Sequence, residues 1–271
     1  MVRDVTLGQF MPGKSIIHRL DARSKILLLL GFIIFIFVCT NYMSLLLITL
    51  ASLFVILTTK INFKLYLKSM KVILFVVVFT GIINLFYGSG EVLFQWGFIQ
   101  ITEGGINNAI FITIRISILV MISSVLTFTT SPTDLTDAIE RLLKPLSYLH
   151  VKVHEIAMMM TIAMRFIPTL LEETDKIMNA QKARGADMES GNIIQRIKAL
   201  IPVLIPLFVS SFRRANDLAM AMECRCYNGG KGRTRMKVLH FTKLDLFASI
   251  FSVIIFVGVI LCNIYFPATL K

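Results

Sequence analysis

Apolar runs at residues 26–40, 43–59, 70–87, 106–130 and 245–266 stand out along the chain, with polar residues gathered between them. A bilayer hydrocarbon core of about 30 Å takes roughly 20 residues of helix, so the pattern predicts about five transmembrane helices. The first two runs are short and separated only by Asn41-Tyr42. They read as a tight helical hairpin, with one long span or a pair that stops short of full crossing as the alternatives.

Between residues 131 and 243 the pattern changes from continuous to periodic. Ser131-Pro132-Thr133-Asp134 opens a helix with a capping residue and with Asp134 and Asp137 early, where the helix dipole favours acids. Leu135, Ile139, Leu142, Leu143, Leu146 and Leu149 follow at helical spacing, and Lys144-Pro145 is expected to bend or end it. A second helix is predicted over Val153 to Arg184, kinked at Pro168, and a third over Asn192 to Arg225, with Ile194, Ile197, Ile201, Leu204 and Phe208 on one side. In the third, Pro202 and Pro206 interrupt the stretch KALIPVLIPLFVSSF. Its apolar core of about 11 residues is too short to span, which places it at the membrane interface or against a partner.

The fold class expected is therefore all-α: a polytopic membrane protein of about five transmembrane helices plus a cytoplasmic domain of amphipathic helices. The divisions are an amino-terminal segment (1–25), four transmembrane helices (26–130), the inserted domain (131–243), and a last transmembrane helix with the carboxyl terminus (244–271).

Composition agrees with a lipid-solvated chain. Of 271 residues, 56% are hydrophobic and 16% charged, against about 25% charged in soluble domains. The net charge of +12 suggests nucleic acid in a soluble protein, but here it sits in blocks beside apolar runs, and no nucleic-acid partner is expected. Residues 1–25, 60–71 and 131–243 hold 26 of the 28 basic residues, the exceptions being Arg115 and Lys271. Loop 88–105 has none, and carries Glu91 and Glu103. By the positive-inside rule the amino terminus is cytoplasmic. The start, MVRDVTLGQFMPGKS, lacks the pattern of a cleaved signal. Four scattered cysteines form no disulfide framework and fit a reducing compartment.

The second and third cytoplasmic helices end alike, in IMNAQKARG (Ile177 to Gly185) and LAMAMECRC (Leu218 to Cys226). Aligned on the arginines, Ile177 meets Leu218 and Ala180 meets Ala221. Each then runs into a breaker, Gly185 directly and Gly229-Gly230 a few residues on. An arginine in a last turn complements the dipole, which is one explanation. The other is that two alike tips serve two alike receptors, the planar guanidinium fork being suited to carboxylates and backbone carbonyls.

At these residues the chain resembles the T component, the transmembrane scaffold, of energy-coupling factor (ECF) transporters for vitamins and metals. The resemblance covers essentially the whole chain. It rests on PGKSIIHRLDARSK (Pro12 to Lys25), TTSPTDLTDAIERLLKPL (Thr129 to Leu146), MRFIPTLLEE (Met164 to Glu173) and the two tips. It implies a non-catalytic subunit of an ATP-driven importer in the cell membrane, with no cofactor of its own. Two ABC-type ATPase subunits bind ATP and each receives one arginine-tipped coupling helix. A separate substrate-binding S component captures the substrate, a vitamin being favoured over a metal. The docking residues implied are Ala183, Arg184 and Gly185 at one tip and Cys224, Arg225 and Cys226 at the other, cysteines standing where the family more usually has Ala and Gly. Met159, Met160, Met164, Leu204 and Phe208 are candidates for contact with the S component. Met158, Met159, Met160, Met164 and Met178 lie on or near one helix. Flexible thioethers suit a surface that repacks against different partners, or serve as ordinary filler.

Other signals are weaker. GQFMPGKS at 8–15 matches the phosphate-loop spelling, but membrane helix follows it rather than strand–helix units. His150, His154 and Glu155 lack the spacing of a zinc site, and Cys224 and Cys226 have no second pair, so no metal is expected. Arg115 lies within the fourth apolar run, where a charge faces protein or water or snorkels outward. Asp4, Asp21 and Asp245 are acids that could pair locally. The main rival function, a self-contained secondary transporter, predicts inverted repeats and mid-membrane acids; the runs contain no central Asp or Glu.

Overall fold

A computed structural model describes residues 10–86, 92–96, 99–186, 192–229 and 240–266. Most are helical. The described residues fall into two compact units, one within Gly8–Ala138 and Val238–Lys271, the other within Ile139–Lys237.

The first unit begins with a single turn, α1 (Ile16–Arg19), capped by the Ser15 side chain. Asp21 caps α2 (Ala22–Val38) and Asn41 caps α3 (Tyr42–Thr58). The first two apolar runs are thus separate helices joined by a tight turn. Each has 17 residues, about 25 Å at 1.5 Å per residue. Next come α4 (Phe63–Phe86), a two-stranded antiparallel hairpin of β1 (Val92–Trp96) and β2 (Ile99–Thr102), and α5 (Glu103–Thr129). The hairpin is the one addition to the expected all-α architecture. Its strands lie in the loop between two apolar runs and pair Trp96 with Ile99 and Phe94 with Ile101. Finally α9 (Lys243–Tyr265) starts with a capping box in which the Thr242 and Asp245 side chains each accept from the other's backbone N–H.

Aromatic stacking ties these helices together. Phe256 of α9 stacks on Phe35 of α2 at 4.1 Å and meets Phe32 edge-on. Tyr66 of α4 packs edge-on against Phe128 of α5 and is fully buried with Ile36, Ile48, Phe111 and Val259. Where lipid replaces water, such packing and hydrogen bonding hold helices together, because apolar contact alone gains little over lipid contact. Gly105 shows how close the packing is: a Cβ there would lie 2.5 Å from the Leu85 carbonyl oxygen.

Arg115 finds its place in this unit. Its guanidinium donates to the Cys39 carbonyl oxygen at 2.6 Å and lies 4.8 Å from the Phe111 ring centroid. Cys39 is the C-cap of α2, so the arginine caps a helix end whose carbonyls carry the negative pole. The turn is held from α9 as well: Asn41 donates to the Cys262 carbonyl and Asn263 to that of Val38. Asp21 pairs with Arg23 at 2.7 Å, and Asp245 accepts from the Asp21 backbone N–H at 2.9 Å. Asp4 lies outside the described residues.

By length and composition, three described helices can cross a membrane: α5, α9 and α8 (Ile193–Glu223) of the second unit. The segments Phe63–Lys71 and Ile73–Leu85 of α4 bend by 61° and make a fourth if counted as one span. The apolar stretch of α8 is therefore longer than the core expected between its prolines. The helix runs unbroken through Pro202 and Pro206, so its composition alone does not keep it out of the bilayer.

The second unit is helical. Before it, Ser131 caps α6 (Pro132–Leu143) by accepting from the Asp134 N–H at 3.1 Å. Lys144-Pro145 ends α6 as expected, in a short 3-10 turn over Lys144–Leu149. The remaining helices are α7 (Val153–Ala183) and α8, each of 31 residues.

Candidate functional site

The two arginine tips share one backbone geometry. Helix α7 ends with Arg184 at its C-cap and Gly185 in the left-handed region at φ 87°. The Ala186 N–H donates to the Gln181 carbonyl at 3.0 Å, and the Gly185 N–H to that of Lys182 at 3.0 Å. This pair of bonds is a Schellman motif. At the end of α8 the Tyr227 N–H donates to the Met222 carbonyl at 3.0 Å, and the Cys226 N–H to that of Glu223 at 2.8 Å. Cys226 has φ 54°. Arg225 therefore occupies the place of Arg184, and Cys226 the place of Gly185.

This corrects one expectation. The residue that stops the third helix is Cys226 rather than Gly229-Gly230. A side chain in the left-handed region costs about 1–2 kcal/mol, which glycine avoids at the first tip. Ala183, Arg184, Gly185, Cys224, Arg225 and Cys226 are all exposed, and neither guanidinium makes an ion pair with another described residue.

Helices α7 and α8 are joined at two places. Glu173 accepts from the Arg214 guanidinium at 2.6 Å and from the Ser210 hydroxyl. Further along α7, the Gln181 amide reaches the Pro202 carbonyl at 3.5 Å. That carbonyl is the one Pro206 leaves without its helical donor, since proline has no N–H to return to residue i−4. As one contact moves up α7 the other moves down α8, so the helices run antiparallel where they touch. From Pro202, beside the first tip, α8 extends through 23 further residues to Arg225, about 35 Å of helix. The two tips thus lie at opposite ends of the α7–α8 pair.

Val203, Ser210 and Arg214 share the face of α8 turned to α7, and Val203 is buried. The opposite face carries Ile194, Ile197, Ile201, Leu204, Ile205, Phe208 and Phe212 at helical spacing. All are exposed, Phe208 at 62% and Phe212 at 69%. Leu204 and Phe208, singled out from the sequence, are thus part of a longer stripe, and Ile205 and Phe212 were the members missed; their i, i+3, i+4 recurrence was the signal. On α7, Met159 is exposed while Met160 and Met164 are half-buried.

The histidines serve locally. His154 Nδ1 lies 3.1 Å from Glu140, and Glu155 pairs with Lys152 at 3.4 Å. Ser15 and Lys14, part of the phosphate-loop spelling, sit at a four-residue helix, where Ser15 Oγ lies 2.7 Å from His18 Nδ1. Gly8 and Gln9 lie outside the described residues.

Comparison with known proteins bears on this geometry. Residues 13–237 match the family described as CbiQ, cobalt transport protein. The chain belongs to the CbiQ family. Both tips fall inside the family match, whereas α9 lies beyond it. Several relatives carry the name energy-coupling factor transporter transmembrane protein EcfT. One from Ruminiclostridium cellulolyticum is 54% identical over 266 residues, covering 98% of this chain and all of that protein. One from Clostridium kluyveri is 49% identical over 98% of this chain and 99% of its own length. One from Bacillus subtilis is 44% identical, over 90% and 93%.

Proposed function

We propose that the chain is the transmembrane scaffold of an ECF-type importer in the cell membrane, oriented with its amino terminus in the cytoplasm. It couples ATP hydrolysis by two separate ABC-type ATPase subunits to movement of one substrate-binding S component, for uptake of a vitamin or other micronutrient. The chain has no catalytic role of its own, and the partners hold the nucleotide. Residues 131–243 form the coupling domain. Ala183, Arg184 and Gly185 enter one ATPase, and Cys224, Arg225 and Cys226 enter the other.

The observation that supports this best is the repeated Schellman end with an arginine at its C-cap. A helix terminus exposes carbonyl oxygens at its negative pole, and an arginine there adds a planar donor fork. Two such ends, alike in backbone and at opposite ends of the α7–α8 pair, suit two copies of one kind of receptor. The stripe from Ile194 to Phe212, with Met159, offers the S component an apolar surface. Met160 and Met164 on α7 add deformable contacts of their own. The tie of Glu173 to Ser210 and Arg214 lets motion at one tip reach the other helix.

The test is co-purification in mild detergent from the native host. The wild-type chain is expected to bring two ATPase subunits with it, and the Arg184→Glu/Arg225→Glu double variant to lose both. Recovery of intact chain without any ATPase removes the scaffold reading. ATPases retained by the double variant keep the scaffold but displace the dock from these tips.

A further inference from the structure

The segment Phe63–Lys71 of α4 is built differently from the rest of its helix. It bends by 61° from Ile73–Leu85, and its surface has three distinct sides. Tyr66 marks the side anchored to the protein: it is fully buried, its hydroxyl 3.0 Å from that of Thr59 and its ring edge-on to Phe128. Phe63 and Leu67, four residues apart on a second side, are 42% and 50% exposed. Lys64, Lys68 and Lys71 follow at i, i+4 and i+7 on the third. Lys60, which ends α3 at φ 56°, stands just before them. All four lysines are exposed, and none pairs with an acid among the described residues.

Neither water nor an acidic partner suits all of this surface. Water leaves Phe63 and Leu67 uncovered, and an acidic surface on its own answers the lysines but not these two side chains. The boundary between acyl chains and head groups satisfies both sides at once, with the aromatic and leucine side chains inward and the ammonium groups at phosphate level. Length supports the same position. The rest of the helix, Ile73–Leu85, is 13 residues, about 20 Å against a core of about 30 Å. That leaves the lysines of the preceding segment within about 10 Å of the head groups, a depth from which they snorkel outward.

We infer that Lys60, Lys64, Lys68 and Lys71 form a binding site for the phosphate head groups of anionic phospholipids. The amphipathic segment Phe63–Lys71 floats there as an interfacial float beside the bundle. The inference stands on α4 alone and does not depend on the docking role of the tips.

Native mass spectrometry of the full-length chain in detergent, titrated with phosphatidylglycerol or phosphatidylcholine, tests it. Wild type is expected to prefer phosphatidylglycerol. Because each interfacial lysine changes anionic-lipid affinity about fivefold, the Lys64→Gln/Lys68→Gln/Lys71→Gln variant is expected to bind it roughly 100-fold more weakly. Lys144→Gln/Lys152→Gln, outside the segment, is expected to keep the wild-type preference. If the triple variant does not fold, Lys64→Gln and Lys68→Gln singly, at exposed positions, are each expected to lose about fivefold. A folded triple variant that keeps the preference overturns the proposal, as does no loss in either single variant. A wild type that binds both lipids equally also overturns it, and leaves an acidic protein surface as the occupant.

Discussion

The end of α7 and the end of α8 make the same two-bond Schellman turn with different residues. At the first, Gly185 sits at φ 87°, and apart from its chain neighbours no atom of the described residues lies within 4 Å of where a Cβ would be. At the second, Cys226 takes the same left-handed conformation with a side chain attached. Both ends place an arginine at the C-cap and leave it exposed. The backbone shape and the arginine are kept while the residue that makes the shape easy is not. That is the pattern expected when the geometry of the tip, rather than the stability of the helix end, is what the protein uses.

The largest effect expected is charge reversal at one tip. Arg184→Glu should weaken capture of one ATPase subunit by 100-fold or more, about 3 kcal/mol, and Arg225→Glu should do the same to the other, read as the ratio of subunits recovered in pull-downs. Equal loss of both subunits from either variant breaks the picture of two independent docks. Gly185→Val comes next. A branched side chain in the left-handed region is expected to destabilise the turn by about 2 kcal/mol, seen as faster amide exchange over residues 181–186 with the rest of α7 unchanged. Cys226→Gly is expected to act in the opposite direction, slowing exchange over 222–227 about fivefold as roughly 1 kcal/mol of strain is relieved, with ATPase capture retained. Smallest is Glu173→Gln. Partly exposed charge pairs contribute about half a kcal/mol, so a melting shift of a degree or two is expected. A larger loss of transport than of stability would mark the pair as a lever between the helices.

Much of this was legible along the chain. The long helices were, because their patterns run for many turns: Val153–Ala183 and Ile193–Glu223 end within two residues of the expected Arg184 and Arg225. The stop after α6 followed from Lys144-Pro145. The division of α4 was partly legible, since the apolar run begins at 70 and the lysines of 60–71 precede it, but that Phe63–Lys71 is itself helical was not read. The β1–β2 hairpin was missed because its strands are four and five residues long and belong to a loop between apolar runs. Arg115 needed tertiary structure, since its partner is a backbone carbonyl at Cys39, which no side-chain pattern announces. At the tips the alignment on the arginines was sufficient in principle: setting Gly185 beside Cys226 implies one turn for both. Cysteine so seldom adopts positive φ that the later glycines drew the assignment instead.

The central claim is that the two tips occupy two different ATPase subunits at the same time. A photo-crosslinking residue placed at Ala183 and at Cys224 of one chain, activated in the assembled complex from the native host, tests it most directly. The account predicts a product containing one scaffold and two ATPase subunits, with each single-position probe giving a product with one. Both probes reaching a single subunit, or either probe reaching only the substrate-binding partner, would contradict it.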